Sequence, residues 1–125
     1  MVIKVYPRTM FEIIKGTHTE QKLLDSSKVI SINTPAYAPK NIVKEEPPFT
    51  LLNHPNLLIL YFHDYYKPLQ DVVLMSDEDA QKIKQFITGN EETVYVHCTV
   101  GISRSGAIGT FLSEYFNGKD SKEHK

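Results

Sequence analysis

The chain has 125 residues, 41% of them hydrophobic and 23% charged, with 14 lysines and arginines against 15 aspartates and glutamates. That length supports one domain with one proper core, and a formal net charge of −1 excludes a global attraction to nucleic acid or anionic membrane, so any anion binding must be local. A single cysteine, Cys98, excludes an intramolecular disulfide. The opening "MVIKVYPR" turns polar too early for a signal peptide, and no stretch approaches transmembrane length. The expectation is a cytoplasmic single domain over residues 1–125, with roughly 118–125 a frayed polar tail and no membrane partner.

Val2, Ile3 and Val5 predict a short first strand closed by Pro7, and Thr9 is placed to cap a short helix stopped by Gly16. "KVISIN", residues 28–33, is rich in β-branched residues and predicts a buried strand. Residues 34–56 hold five of the seven prolines and predict an irregular surface connection. "NLLILYF", residues 56–62, predicts a third strand, and the aperiodic "HDYYKPLQDVVLM" after it a loop. Ser76 then opens a helix: "SDED" has the form of a capping box with acids in the first turn, Ala80, Ile83, Phe86 and Ile87 make the buried stripe, and Gly89 ends it. "TVYV" is a fourth strand, and Ile108, Phe111, Leu112 and Tyr115 fall at i, i+3, i+4, i+7, placing a core-facing helix after the cysteine. Strands alternating with helices imply an α/β fold, a mostly parallel central sheet flanked by helices on both faces. In such a sheet a ligand site lies beyond the carboxyl ends of the strands, the edge from which Cys98 emerges.

Between Cys98 and Arg104 lie "TVGIS", five residues with Gly101 at the centre. A short loop from a buried strand into a helix N-terminus turns backbone N–H groups inward as an anion-binding nest. Gly101 permits a conformation that a Cβ penalises, and Arg104 supplies a planar fork able to grip two phosphate oxygens. Cys98 at the floor sits where amide dipoles and a guanidinium favour the thiolate. Thr99, Val100, Gly101, Ile102, Ser103 and Arg104 therefore form the candidate oxyanion-binding loop.

"HCTVGISRSG" resembles the signature of cysteine-dependent protein tyrosine and dual-specificity phosphatases: His-Cys, five residues, Arg, then Ser or Thr. The defining positions are His97, Cys98, Gly101, Arg104 and Ser105. The resemblance runs over residues 28–117, closest from residue 57 onward, and points to the compact dual-specificity type. It implies that Cys98 attacks phosphorus and forms a phosphocysteine, that Arg104 and the loop amides hold the equatorial oxygens, and that the Ser105 hydroxyl assists departure of the thiolate. It implies a supporting role for His97, orienting the loop from below. The family takes its general acid from an upstream loop. Asp64, 34 positions before the cysteine and just past a strand's carboxyl end, is favoured, with Asp71 the rival. Val100 departs from the family, which often has alanine or an acid there.

The implied substrate is a phosphorylated protein, phosphotyrosine and also phosphoserine or phosphothreonine, hydrolysed with no cofactor and no metal. His63 has no partner at metal-ligand spacing. Tyr61, Phe62, Tyr65 and Tyr66 are candidates for a pocket wall. Alternative readings are a phosphatase for a phosphoinositide or an RNA 5′-triphosphate, disfavoured because the loop carries no lysine, and a non-catalytic phosphoprotein-binding module of the same fold. A disulfide-relay arsenate reductase is excluded within one chain by the lack of a second cysteine. The composition commits to no oligomeric state.

Overall fold

The structure, a computed structural model, describes residues 1–65, 67, 69–99 and 103–117. Four strands, β1 (Val2–Val5), β2 (Lys28–Asn33), β3 (Leu57–Tyr61) and β4 (Thr93–His97), form one sheet in the order β1-β4-β2-β3. Every pairing is parallel. Four helices complete a single small α/β domain: α1 (Arg8–Ile14), α2 (His18–Ser26), α3 (Asp77–Phe86) and α4 (Ser103–Phe116). A three-residue 3₁₀ turn, Ala38–Lys40, interrupts the proline-rich connection.

Side chains alternate across a strand, so each strand feeds two cores. Ile30, Ile32, Leu60, Val94 and Val96 meet Ile83 and Ile87 of the α3 segment and Ile108 and Leu112 of α4 on one face. Val29 and Leu57 meet Phe11 of α1, Leu24 of α2 and Phe49 on the other, with Tyr95 and Ile59 packed against them. The parallel sheet therefore has helices on both faces. The first crossover runs over the α1/α2 face and the third returns over the α3 face, which inserts β4 between β1 and β2. Their carboxyl ends are thereby gathered around the end of β4.

Local chemistry explains most element ends. Ser76 accepts from the Asp79 amide while the Asp79 side chain accepts from the Ser76 amide, a complete capping box at the predicted place. Gly16, at φ +77°, turns the chain out of α1 in a region that L side chains avoid. At Gly109 a Cβ would lie 3.1 Å from Val5 Cγ2, so the missing side chain lets α4 approach β1 closely.

Four expectations need correction. Thr9 does not cap α1: the helix starts at Arg8, and Pro7, with φ −70° and extended ψ, occupies the cap without a side-chain hydrogen bond. Proline has no side-chain acceptor for the first-turn amides, and its carbonyl accepts from the Met10 amide at 3.1 Å. Residues 18–26, for which no element is expected, form α2. Its sequence, HTEQKLLDS, is too polar to show a stripe, and it folds around Glu20 and Leu24, both fully buried. The Glu20 carboxylate accepts from the Gly16, Thr50 and Leu51 amides and the Thr50 hydroxyl. Tyr115 is not core: it is 54% exposed, stacked on Phe111 with Lys84 over its ring, while its neighbour Phe116 packs against the core. Ala80 and Phe86 are only half-buried.

Candidate active site

The end of β4 delivers His97, Cys98 and Thr99 to the carboxyl edge of the sheet, and α4 returns the chain there with Ser103, Arg104 and Ser105 at its first turn. Cys98 is 1% exposed and its Sγ lies 3.3 Å from the Ser105 Oγ. Val100, Gly101 and Ile102, at the centre of the predicted anion loop, lie outside the described residues, as does Tyr66.

Arg104 is buried, which a guanidinium tolerates only when it is paired. Its Nη1 donates to the Phe62 carbonyl at 2.7 Å and its Nη2 to the Thr34 Oγ1 at 3.2 Å. Its Nε–H is buried and has no hydrogen-bond partner among the described residues. Nη1 and Nη2 are thus each anchored while Nε–H is unspent. A buried orphan donor costs stability, and an anion at this position would recover it.

His97 reads differently from a proton shuttle. It is fully buried beside the rings of Phe11, 5.1 Å away, and Phe49, 6.0 Å away. Burial pushes its pKa down to about 4, with the charges of Arg8 and Arg104 adding to the effect, so the ring is neutral near pH 7. Its Nδ1 lies 3.1 Å from the Cys98 carbonyl, which can only accept, so Nδ1 carries the proton. Nε2 therefore accepts from the Ser31 hydroxyl at 2.7 Å. The parallel register sets Ser31 and His97 side by side, which makes this bond possible. Ser31 Oγ in turn accepts from Asn33 Nδ2 at 3.1 Å.

A second chain runs from Arg104. Thr99 Oγ1 donates to Glu45 Oε1 at 2.7 Å, so the 2.7 Å contact between Thr34 Oγ1 and Thr99 Oγ1 has Thr34 as donor. The order Arg104 Nη2–H, Thr34 hydroxyl, Thr99 hydroxyl, Glu45 carboxylate has every proton accounted for. Glu45 also accepts from the Thr34 amide at 2.8 Å.

Asp64, exposed just past β3, accepts from the Ser103 hydroxyl at 3.0 Å. The segment behind it is closed by two hydrogen bonds: the His63 amide donates to the Val73 carbonyl at 2.6 Å and the Val73 amide to His63 Nδ1 at 2.8 Å. Asp71 sits exposed in the intervening turn at φ +66°. No hydrogen bond or ion pair among the described residues ties it to the cysteine loop. Phe62 is buried with its carbonyl on Arg104, Tyr61 lies under Lys44, whose Nζ is 4.4 Å from the ring centroid, and Tyr65 is exposed.

The structure thus brings together Cys98, Thr99, Ser103, Arg104, Ser105, His97 and Asp64. Sequence reasoning missed Arg8, Ser31, Asn33, Thr34 and Glu45. Ser31 and Asn33 carried a usable signal: polar residues at alternate positions of an apolar strand must find buried partners. Glu45 and Thr34 lie in the proline-rich connection, where no periodicity says which residues turn inward.

Among the described residues no group of three His, Cys, Asp or Glu side chains is placed to hold a metal ion, and no helix is long and apolar enough to cross a membrane. Compared with models of protein families, with curated proteins and with solved structures, the chain matches none.

Proposed function

We propose that this protein is a cysteine-dependent phosphatase acting on phosphotyrosine, and on phosphoserine or phosphothreonine, in protein substrates. One observation carries the reading: a buried arginine, braced from behind with its Nε–H unspent, shares a strand-to-helix loop with a thiol that faces a serine hydroxyl. A core cysteine needs no such arginine, and an arginine held only for structure would spend all its donors.

The chemistry proceeds in two displacements. Cys98 thiolate attacks phosphorus, the bond to the leaving oxygen breaks, and the Asp64 carboxylic acid gives that oxygen its proton. The Arg104 fork and loop amides hold the equatorial oxygens, where charge spreads in the transition state. Water then attacks the phosphocysteine, Asp64 carboxylate takes the water's proton, and the S–P bond breaks to return the thiolate. The Ser105 hydroxyl, 3.3 Å from Sγ, stabilises that departing sulfur by donating to it. Asp64 is preferred to Asp71 as the acid because its contact with Ser103 puts its carboxylate at the lip of the loop.

The test is hydrolysis of an aryl phosphate, phosphotyrosine and phosphoserine peptides, and a phosphoinositide, all with chelator present, beside Cys98→Ser. Turnover of the aryl phosphate and phosphopeptides, lost in the variant, is expected. Phosphate binding without turnover of any substrate would identify a phosphate-reading module instead.

A further inference from the structure

The two hydrogen-bond chains beneath the loop end on the same side chain. Arg8 Nη1 donates to Asn33 Oδ1 at 3.1 Å and lies 3.4 Å from Glu45 Oε2. The first contact leads through Asn33, Ser31 and His97 to the Cys98 carbonyl. The second leads through Glu45, Thr99 and Thr34 to the Arg104 guanidinium. Arg8 Nη2 also donates to the Glu46 carbonyl, and Arg8 Nε to Glu12 at 2.9 Å, so every arm of the Arg8 fork is engaged. Topology explains the placement. β1 lies beside β4, with Val5 opposite Val96, and α1 begins just beyond, so residue 8 is set down under the end of β4.

We propose that Arg8 is a positioning residue for both halves of the reaction loop, holding the nucleophile's backbone and the phosphate-gripping arginine in one register. Its kinetic consequence rests on the phosphatase reading. Cys98 and Arg104 must keep a fixed separation, and each is tied into its own chain of single hydrogen bonds, with the Phe62 carbonyl holding Arg104 as well. Both chains meet at Nη1, and the bonds that the other two nitrogens make to Glu46 and Glu12 fix its place. A planar guanidinium can be held in this way; an ammonium on a flexible stem has no second arm to fix it. Neither Asn33 nor Glu45 alone can substitute, since each controls one branch.

The experiment compares wild type with Arg8→Met, Arg8→Lys, Glu45→Gln and Glu12→Gln. Two readouts are used: kcat and KM on an aryl phosphate, and the concentration of inorganic phosphate that protects Cys98 from iodoacetate. Circular dichroism and a melting curve verify folding. Misplacement of reacting groups by a fraction of an ångström to 1 Å costs up to about 10²-fold. Arg8→Met is therefore expected to lower kcat by about 10- to 100-fold with KM changed much less, and to raise the protecting phosphate concentration by about 10-fold. Arg8→Lys should recover only part of either loss. Glu45→Gln should shift phosphate protection, since its branch ends on Arg104. Glu12→Gln, which touches Arg8 only from the solvent side, should stay within about twofold. A folded Arg8→Met with wild-type kcat and wild-type protection overturns the proposal. If the wild type turns over none of the phosphates yet phosphate protection still depends on Arg8, the phosphatase reading fails and the positioning role stands. Should Arg8→Met not fold, Arg8→Lys with Glu45→Gln decides: wild-type values in both overturn the proposal.

Discussion

Acidification from pH 7 to pH 5 should weaken the fold through one side chain, His97. Its pKa is pushed from the ordinary 6.5 down to about 4 by burial, so the folded chain keeps it neutral where the unfolded chain protonates it. Between those values the unfolded state binds more protons, so stability rises with pH there. The contribution is fully present above pH 6.5 and is lost as pH falls through about 4. At 1.36 kcal/mol per pKa unit, that amounts to about 3 kcal/mol in all, of which about 2 kcal/mol disappears between pH 7 and 5. This is a sizeable part of the total for a domain of this length. Urea unfolding at pH 7, 6 and 5 reads the loss directly. The comparison is His97→Gln, which lacks the titrating group and should lose about 2 kcal/mol less over the same interval. Imidazole resonances should show one histidine that does not titrate down to pH 5. If every histidine titrates near 6.5, or His97→Gln keeps the wild-type slope, then the ring is not held neutral. The assignment of Nε2 as acceptor from the Ser31 hydroxyl would fall with it.

Arg104→Lys keeps the charge but loses the planar fork that reaches Phe62 and Thr34 while leaving Nε–H unspent, so kcat should fall on the order of 10²-fold or more; a near-normal rate would show that charge alone suffices. Asp64→Asn should slow tyrosyl and alkyl phosphates by about 10²- to 10⁴-fold, spare an activated aryl phosphate much more, and remove the alkaline limb of the pH profile. Asp71→Asn should do neither, and an exchange of these phenotypes would make Asp71 the acid. Glu91 is held down to about 2, since hydrogen bonds from Lys28, Thr88 and Gly89 outweigh the opposing effect of burial. Its stabilisation, about 2–3 kcal/mol, is therefore present above pH 4.5 and lost as pH falls through about 2. Glu91→Gln should destabilise the protein at pH 7 and converge on wild type near pH 2; an unchanged gap at low pH would place its effect in packing rather than charge.

Much of this molecule is written in local chemistry. Ser76 and Asp79 close a capping box wherever they fall three apart before a helix, and "KVISIN" is a buried strand because alternate faces of it suit two cores. The cysteine and arginine are legible together for the same reason: Cys98, Arg104 and Ser105 lie within eight residues of chain, so their spacing already brings them near one another. What supports that loop is not local. Ser31 reaches His97 across 66 positions, Arg104 reaches Thr34 across 70, and Glu45 reaches Thr99 across 54. Ser31 shows in the sequence only as a polar residue of an apolar strand, and Thr34 and Glu45 show no period or motif; which partner each takes is decided by the strand order that inserts β4 between β1 and β2, and by the register that sets Ser31 opposite His97. The helix at 18–26 tells the same story from the packing side. Its residues are too polar to announce a buried face, and only the backbone amides of Thr50 and Leu51, arriving from thirty residues away, make the burial of Glu20 affordable. A motif can specify which groups meet, because neighbours in sequence share a short stretch of chain. The groups that hold those atoms still come from wherever the sheet brings them, because buried polar groups must be paired and only the folded topology decides with whom.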